Sequence, residues 1–355
     1  MRNLRSKILF GADSKIKIYI FPLFWGWEAN MKILVTGANG LLGHHVVMQL
    51  LEKQHDITII VRSRKKIYFD LTKVTVVEGS FTNEESLRRA AQNCDAIIHI
   101  AAITATNLLR YSDYKRVNAD GSAFILKICK DLNIKNIVFI SSANTIGYGT
   151  IRHLSDERAP IEYPFTQSLY AQSKLEAEKL FVAASKSYDN HIVIINPTFM
   201  IGAYDVKPSS GKLMLMGYKR KWMFVPNGGK NFVATTDVAT AVCNALTEGK
   251  SGERYLASGV NLTFKEFYEI QSRVGGYKQK IYILPDLLLE LAAKFGDLLR
   301  MLGIRSELCS RNINQVCISE YYGNNKARNV LRMPETPIDR AIKEALYWFQ
   351  KNGKI

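Results

Sequence analysis

Five cysteines in 355 residues, with no CxxC pair and no grouping with the six histidines, leave this chain without a disulfide framework or metal-ligand spacing. Cys94, Cys129, Cys243, Cys309 and Cys317 read as reduced, mostly buried thiols of a cytoplasmic protein with no metal centre. Acidic residues are few beside basic ones, 32 against 48, giving a net charge of +16. Such an excess attracts nucleic acid or an anionic surface. No stretch interleaves cations with aromatics as a recognition motif does, so no nucleic-acid partner is expected; a basic surface or an anionic small ligand remains. Long apolar runs are missing as well. Residues 1–30 begin basic and reach IYIFPLFWGW, but Pro22 interrupts the run and no small-residue cleavage site follows. That segment is too short to span a bilayer and poorly matched to a signal peptide. It reads as an upstream translation start or a loosely attached apolar flap.

What the chain does have is 47% hydrophobic residues, enough for two lobes or one elaborated α/β domain. Residues 31–36 (MKILVT) read as a strand, residues 37–43 (GANGLLG) as a glycine turn and residues 44–52 as a helix. Strand, turn and helix in that order present a helix N-terminus to a pyrophosphate. Gly37, Asn39, Gly40, Leu41, Leu42 and Gly43 are therefore candidate dinucleotide contacts. A second strand, residues 57–61, ends at Arg62, about 20 residues past the turn, where an acidic residue would hold the 2′-hydroxyl of NAD. An arginine there pairs with a 2′-phosphate, as its neighbours Ser63 and Arg64 can; NADP(H) is expected and NAD(H) left open.

The alternation continues through strand 74–78, helix 83–92, strand 96–100, helix 118–132 and strand 136–140. It predicts an α/β fold, a Rossmann-type doubly wound parallel sheet with ligand beyond the strand carboxyl ends. Ala101 and Ala102 follow one such end and are small enough to let a cofactor approach. His99, inside an apolar strand, reads as structural.

Tyr170 and Lys174 stand one helical turn apart in SLYAQSK. By itself an i, i+4 pair decides nothing, although an ammonium beside a phenol lowers a pKa that is ordinarily about 10. Ser141 and Ser142 leave the strand at 136–140 well before that helix. Glycine turn, serine and YxxxK in this order resemble the extended, or atypical, short-chain dehydrogenase/reductases, the NAD-dependent epimerase/dehydratase family. The resemblance runs from Met31 to about Gly353. It implies that Tyr170 exchanges a proton with the substrate oxygen while hydride passes to or from the nicotinamide. Lys174 would bind the nicotinamide ribose and lower the tyrosine pKa, Ser142 would orient the substrate oxygen with Ser141 second for that role, and Asn118 would support a proton relay. An asparagine at a helix start is also a good cap. Pro197 and Thr198 match the segment around the nicotinamide carboxamide. Where many relatives carry a glycine and an adenine-binding aspartate after the third strand, this chain has Gly79 and Ser80 followed by Phe81; Ser80 can still hydrogen-bond. Ala143 and Asn144, not an Asp-Glu pair, stand directly after Ser142, where the sugar-nucleotide 4,6-dehydratases of the family carry that pair, which argues against dehydration.

The resemblance further implies a cofactor domain of residues 31–198 and 232–258 and a smaller C-terminal substrate-binding lobe of residues 199–231 and 259–355. Homodimerisation through the helices bearing Asn118 and Tyr170 would follow from it. The loop at Phe199 and Met200 resembles that of dihydroflavonol-4-reductase-like enzymes, so the first expectation is an NADP(H)-dependent reductase of a small apolar or aromatic carbonyl compound. Methionines and aromatics in residues 213–225 suit an adaptable apolar pocket. A sugar-nucleotide epimerase with tightly held NAD is the rival; Lys230 would then replace, as a point charge, the arginine that binds the diphosphate. A non-catalytic cofactor-binding sensor or scaffold is the third reading. In residues 286–302, charges at Asp286, Glu290, Lys294, Asp297 and Arg300 make one polar stripe on an otherwise apolar helix. It reads as a helix packed in the small lobe's core, or else as a lid or an edge resting on a membrane surface.

Overall fold

The computed structural model describes residues 30–187 and 189–355. The expected extension, save Asn30, lies outside the described residues. From there the chain forms β1 (Lys32–Thr36), α1 (Leu41–Glu52), β2 (Asp56–Val61), β3 (Val74–Glu78), α2 (Glu84–Ala91), β4 (Ala96–His99), α3 (Tyr111–Asn118), α4 (Asp120–Asp131), β5 (Asn136–Ile140), α5 (Leu169–Ser187) and β6 (His191–Pro197). It continues through β7 (Phe199–Ile201), α6 (Gly211–Gly217), β8 (Trp222–Val225), β9 (Gly229–Ala234), α7 (Thr235–Asn244), β10 (Arg254–Ala257), β11 (Val260–Thr263) and α8 (Phe264–Val274). Last come β12 (Lys280–Ile283), α9 (Asp286–Met301), α10 (Ser310–Val316), β13 (Ser319–Glu320), α11 (Asn325–Leu331) and α12 (Ile338–Lys351).

Strands β1, β4 and β5 are almost wholly apolar because helices cover both of their faces. Seven parallel strands pair in the order β10-β6-β5-β4-β1-β2-β3. Alternate side chains serve two cores: Ile33, Val35 and Ile59 meet α1 and α7 on one face, while Leu34, Ile97 and Phe139 meet α2, α4 and α5 on the other. On the second face Phe139 and Phe181 stack with ring centroids 4.2 Å apart. Truncating either to alanine would cost about 3–5 kcal/mol. Strand order reverses between β1 and β4, whose register runs from Ile33 opposite Ala96 to Thr36 opposite His99. A ligand crevice therefore opens beyond Thr36 and His99.

Residues 118–132 are not one helix. Asn118 ends α3 and does not cap α4, because its buried amide bonds the main chain of Ile103, accepting from its N at 2.8 Å and donating to its O at 3.1 Å. Tertiary bonding of that side chain overrides the local preference for a cap.

The second lobe is built from β11, β9 and β13, with β7 also on β9, and a separate β8–β12 pair. Phe232, Phe267, Met214 and Phe349 form its core. Of the residues expected to line an apolar pocket, Met214 is in this core while Met216, Trp222 and Phe224 face outward. The expected division at residue 259 is crossed by α11, whose Ala327 and Leu331 join the core around α7. Helix α9 departs most from expectation. It buries only Leu289, Ala293 and Gly296, and turns most of its large apolar side chains outward.

Candidate active site

The glycine turn closes tightly on the end of β4. Gly37 has φ +76°, and a Cβ there would lie 2.8 Å from the Ala101 nitrogen; at Gly43 one would lie 2.1 Å from the Gly37 oxygen. Gly40 precedes α1 with no side-chain cap, leaving the helix N-terminus to an anionic group. Asn39 is exposed at the rim, and Leu42 points into the core, so only its backbone can serve a ligand. This cradle fits a dinucleotide phosphate. Arg62 is exposed beyond β2 and forms no ion pair among the described residues, whereas Arg64 is bound to Glu78 at 2.7 Å. The Ser63 hydroxyl accepts from the Lys65 nitrogen.

At the next strand ends the expectations meet a different arrangement. The Ser80 hydroxyl bonds that of Thr82 at 2.8 Å inside its own turn, and Phe81 packs edge-on against His99 at 5.2 Å. His99 is structural. The Thr36 hydroxyl already accepts from the nitrogens of Ile100 and Ala101, so it donates to His99 Nδ1 at 2.8 Å. The ring's Nε2 then donates to Ser122, whose hydroxyl donates to the Asn118 carbonyl. Burial, with the Lys174 charge adding to it, lowers the His99 pKa to about 3 and keeps the ring neutral. Ala101 and Ala102 are half-buried beside this chain of bonds.

Helix α5 carries Tyr170 and Lys174 to the ends of β4 and β5. Lys174 is buried, donates to the Ile140 carbonyl at 2.6 Å and lies 4.3 Å above the Phe139 ring. Desolvation lowers its pKa to about 7, against an opposing pull from Glu178. The Tyr170 phenol is shifted upward: burial raises it, its hydrogen bond with Ser142 draws it down and Tyr114 adds a rise. The expected lowering by Lys174 does not occur because the ammonium is turned onto Ile140. Ser142 is buried and its hydroxyl accepts from the Asn144 nitrogen at 3.2 Å. The buried Ser141 hydroxyl has no hydrogen-bond partner among the described residues, an orphan of the kind a bound polar group satisfies. Asn118 also donates to Ser173 at 2.9 Å, joining the loop after β4 to α5.

Sequence reasoning missed Glu178. Its buried carboxylate accepts from Thr145 at 2.9 Å and Asn196 at 2.8 Å, and pairs with Arg254 at 3.4 Å. The signal was available: residues 170, 174 and 178 repeat at four-residue spacing. Also missed was the cover over Tyr170, a crevice lined by Leu108, Tyr114, Arg311 and Asn312 that leaves no room for water.

Beyond β6, buried Pro197 leads to Thr198, whose hydroxyl donates to Asn231 at 2.7 Å. Phe199 and Met200 face opposite sides of β7: Phe199 packs edge-on to Phe232 in the second lobe, and Met200 rests against the main core. The strand's alternation thus sends the two side chains to different cores. Lys230 forms an ion pair with Glu320. Burial raises the Glu320 pKa, and Lys230 pulls it back down. Asn231 is fully engaged with Thr198, Gly259 and Asn261.

Comparison with known proteins places this arrangement. A model described as the NAD dependent epimerase/dehydratase family matches residues 33–258. The chain is 28% identical over 330 residues to "Putative dihydroflavonol 4-reductase" of Synechocystis, covering 90% of this chain and 95% of that protein. It is 25% identical over 333 residues to sterol demethylase protein B of Methylococcus capsulatus, covering 92% of this chain and 100% of that one. Among solved structures, UDP-glucose 4-epimerase of Thermus thermophilus in complex with NAD aligns with a TM-score of 0.71 at 18% identity, covering 90% of this chain and 99% of that one. Glycine cradle, parallel sheet and family match agree: the chain belongs to the NAD dependent epimerase/dehydratase family and is an enzyme of the extended short-chain dehydrogenase/reductase type.

Proposed function

We propose that the protein is an NADP(H)-dependent reductase that interconverts a carbonyl and an alcohol on a small apolar or aromatic substrate. The nicotinamide, when bound, supplies or accepts the hydride. Tyr170 gives the proton to, or takes it from, the substrate oxygen, and its raised pKa keeps the phenol in its protonated form at neutral pH. Ser142 bonds the Tyr170 hydroxyl and orients the same oxygen. Lys174, near its own pKa at neutrality, takes the ribose hydroxyls and a proton. Arg62 holds the 2′-phosphate, and the α1 N-terminus the pyrophosphate.

The observation that carries the reductase reading over the epimerase is the Lys230–Glu320 pair. An ammonium already neutralised by a buried carboxylate is a poor partner for a sugar diphosphate, and Asn231 has no bonding capacity to add. The relatives named for reduction of a dihydroflavonol and for sterol demethylation support an apolar substrate. The test is absorbance of NADPH mixed with purified protein and a panel of aromatic and alicyclic ketones, alongside UDP-hexoses. Ketone-dependent loss of NADPH is expected. Epimer formation from a UDP-hexose with no net NADPH consumption would overturn the reading.

A further inference from the structure

The outward face of α9 and the ribbon before it have no covering element. Leu287, Leu288, Leu291, Phe295, Leu298 and Leu302 share one side of the helix by their three- and four-residue spacing, and all are exposed, Phe295 to 60%. The inward side is formed by Leu289, Ala293 and Gly296. Gly296 lets α9 lie directly on the Leu308 backbone, where a Cβ would meet the Leu308 oxygen. The charges Asp286, Glu290, Lys294, Asp297 and Arg300 occupy the remaining arc. A surface helix of a monomer ordinarily buries its apolar side; this one buries Leu289, Ala293 and Gly296 and presents Leu287, Leu288, Leu291, Phe295 and Leu298 to solvent.

The adjoining β8–β12 ribbon repeats the pattern. Strand alternation puts Trp222, Phe224 and Tyr282 on its outer face, Trp222 being 57% exposed, and Phe224 stacks on Tyr282 at 5.7 Å. Lys219, Arg220, Lys221 and Lys278 stand ahead of the two strands and Lys280 opens β12, all exposed and without an ion pair among the described residues. Leucines and a phenylalanine on a helix, a tryptophan and a tyrosine at the margin and unpaired cations beside them are the composition of a face that lies in the headgroup region of an anionic bilayer. No helix among the described residues is long and apolar enough to cross a membrane, which agrees with an interfacial seat.

We infer that α9 and the β8–β12 ribbon dock this enzyme on an anionic membrane surface, with α9 and α10 forming a cover over Tyr170. The inner side of the cover reaches the site directly. Arg300 donates to the Leu108 carbonyl at 2.8 Å, Asn312 donates to the Thr106 carbonyl at 3.3 Å, and Arg311 and Asn312 line the closed crevice above Tyr170. Seating the leucine face in lipid loads the same helix that holds the crevice shut, so a bilayer-dissolved substrate and the opening of the site arrive together. The docking itself does not depend on whether the reaction is reduction or epimerisation.

The experiment is flotation of the full chain with vesicles of phosphatidylcholine alone and with added phosphatidylglycerol. It compares the wild type with the triple variant Leu291→Ser/Phe295→Ser/Leu298→Ser and with Lys219→Ala/Lys221→Ala/Lys280→Ala. Both variants retain residues 1–30, so any membrane affinity of that segment is common to all. Because the altered side chains are exposed, the fold is expected to stand; circular dichroism and unchanged NADPH affinity check it. Binding to anionic vesicles that weakens with salt and falls at least about tenfold in each variant is the expected result. Absence of wild-type binding, or equal binding by the leucine variant, overturns the proposal. So does a wild-type dimer that the leucine variant dissolves with no vesicle binding, which would make a second copy the occupant.

Discussion

The Lys174 ammonium donates to the Ile140 carbonyl at 2.6 Å, at the carboxyl end of β5 and one turn along α5 from Tyr170. It is buried with its pKa lowered to about 7, below the usual lysine value of about 10.4. Between those two pH values the unfolded chain binds more protons than the folded one, so stability rises with pH; below about 7 both states are protonated and the contribution is flat.

Lys174→Met removes that slope. Urea unfolding without added cofactor should show the variant more stable than wild type near pH 7, with the advantage shrinking toward pH 9 by at most roughly 1.4 kcal/mol per pH unit. Parallel stability curves would show that the ammonium is not desolvated.

Tyr170→Phe should leave NADPH affinity nearly intact and lower turnover at least ~10²-fold, the share of a positioned acid–base group. Ser142→Ala should lower turnover too, and it should shift the alkaline limb of the rate profile upward, because Ser142 holds the phenol's pKa down. A wild-type rate in Tyr170→Phe would show that another group moves the proton.

Arg62→Asp should invert cofactor choice. The carboxylate repels a 2′-phosphate and accepts from a 2′-hydroxyl, while Arg62, with no ion pair among the described residues, leaves no partner stranded. Fluorescence titration with NADPH and NADH reads the ratio directly. Equal wild-type affinities for the two would sink the assignment of Arg62.

The repeating part of the fold was legible because its signals are local and periodic. The GANGLLG turn, the apolar strands and the YxxxK helix all occur where the residue pattern puts them. Three things were not legible, each because a distant partner decides it. Asn118 bonds Ile103 and Ser173 and so ends a helix where a cap was expected. The phenol of Tyr170 rises because the fold buries it, and Lys174 turns its ammonium to the Ile140 carbonyl of β5. Helix α9 has the apolar content of a core element, but Gly296 and Ala293 select its narrow side for packing, and periodicity alone does not say which of two apolar sides is covered.

The Lys230–Glu320 pair gives the final prediction, because the two readings of Lys230 differ in what its removal does. If the lysine serves the fold by neutralising Glu320, Lys230→Met leaves a carboxyl buried without its partner. Its pKa, already raised, then climbs further. A carboxyl whose folded pKa exceeds its unfolded one gives stability present at low pH and lost as pH rises through the folded value. Compared at about pH 5 and about pH 7, the variant should therefore lose stability as pH rises, by at most roughly 1.4 kcal/mol per pH unit for the one carboxyl. Lys230→Met/Glu320→Leu, which removes both charges, should recover most of that loss and flatten the pH dependence, with ketone-dependent NADPH oxidation preserved. Unfolding curves at the two pH values for the two variants and wild type complete the measurement. A single variant as stable as wild type at both would show that Lys230 is not needed by Glu320, and would return it to the diphosphate-binding role that the epimerase reading requires.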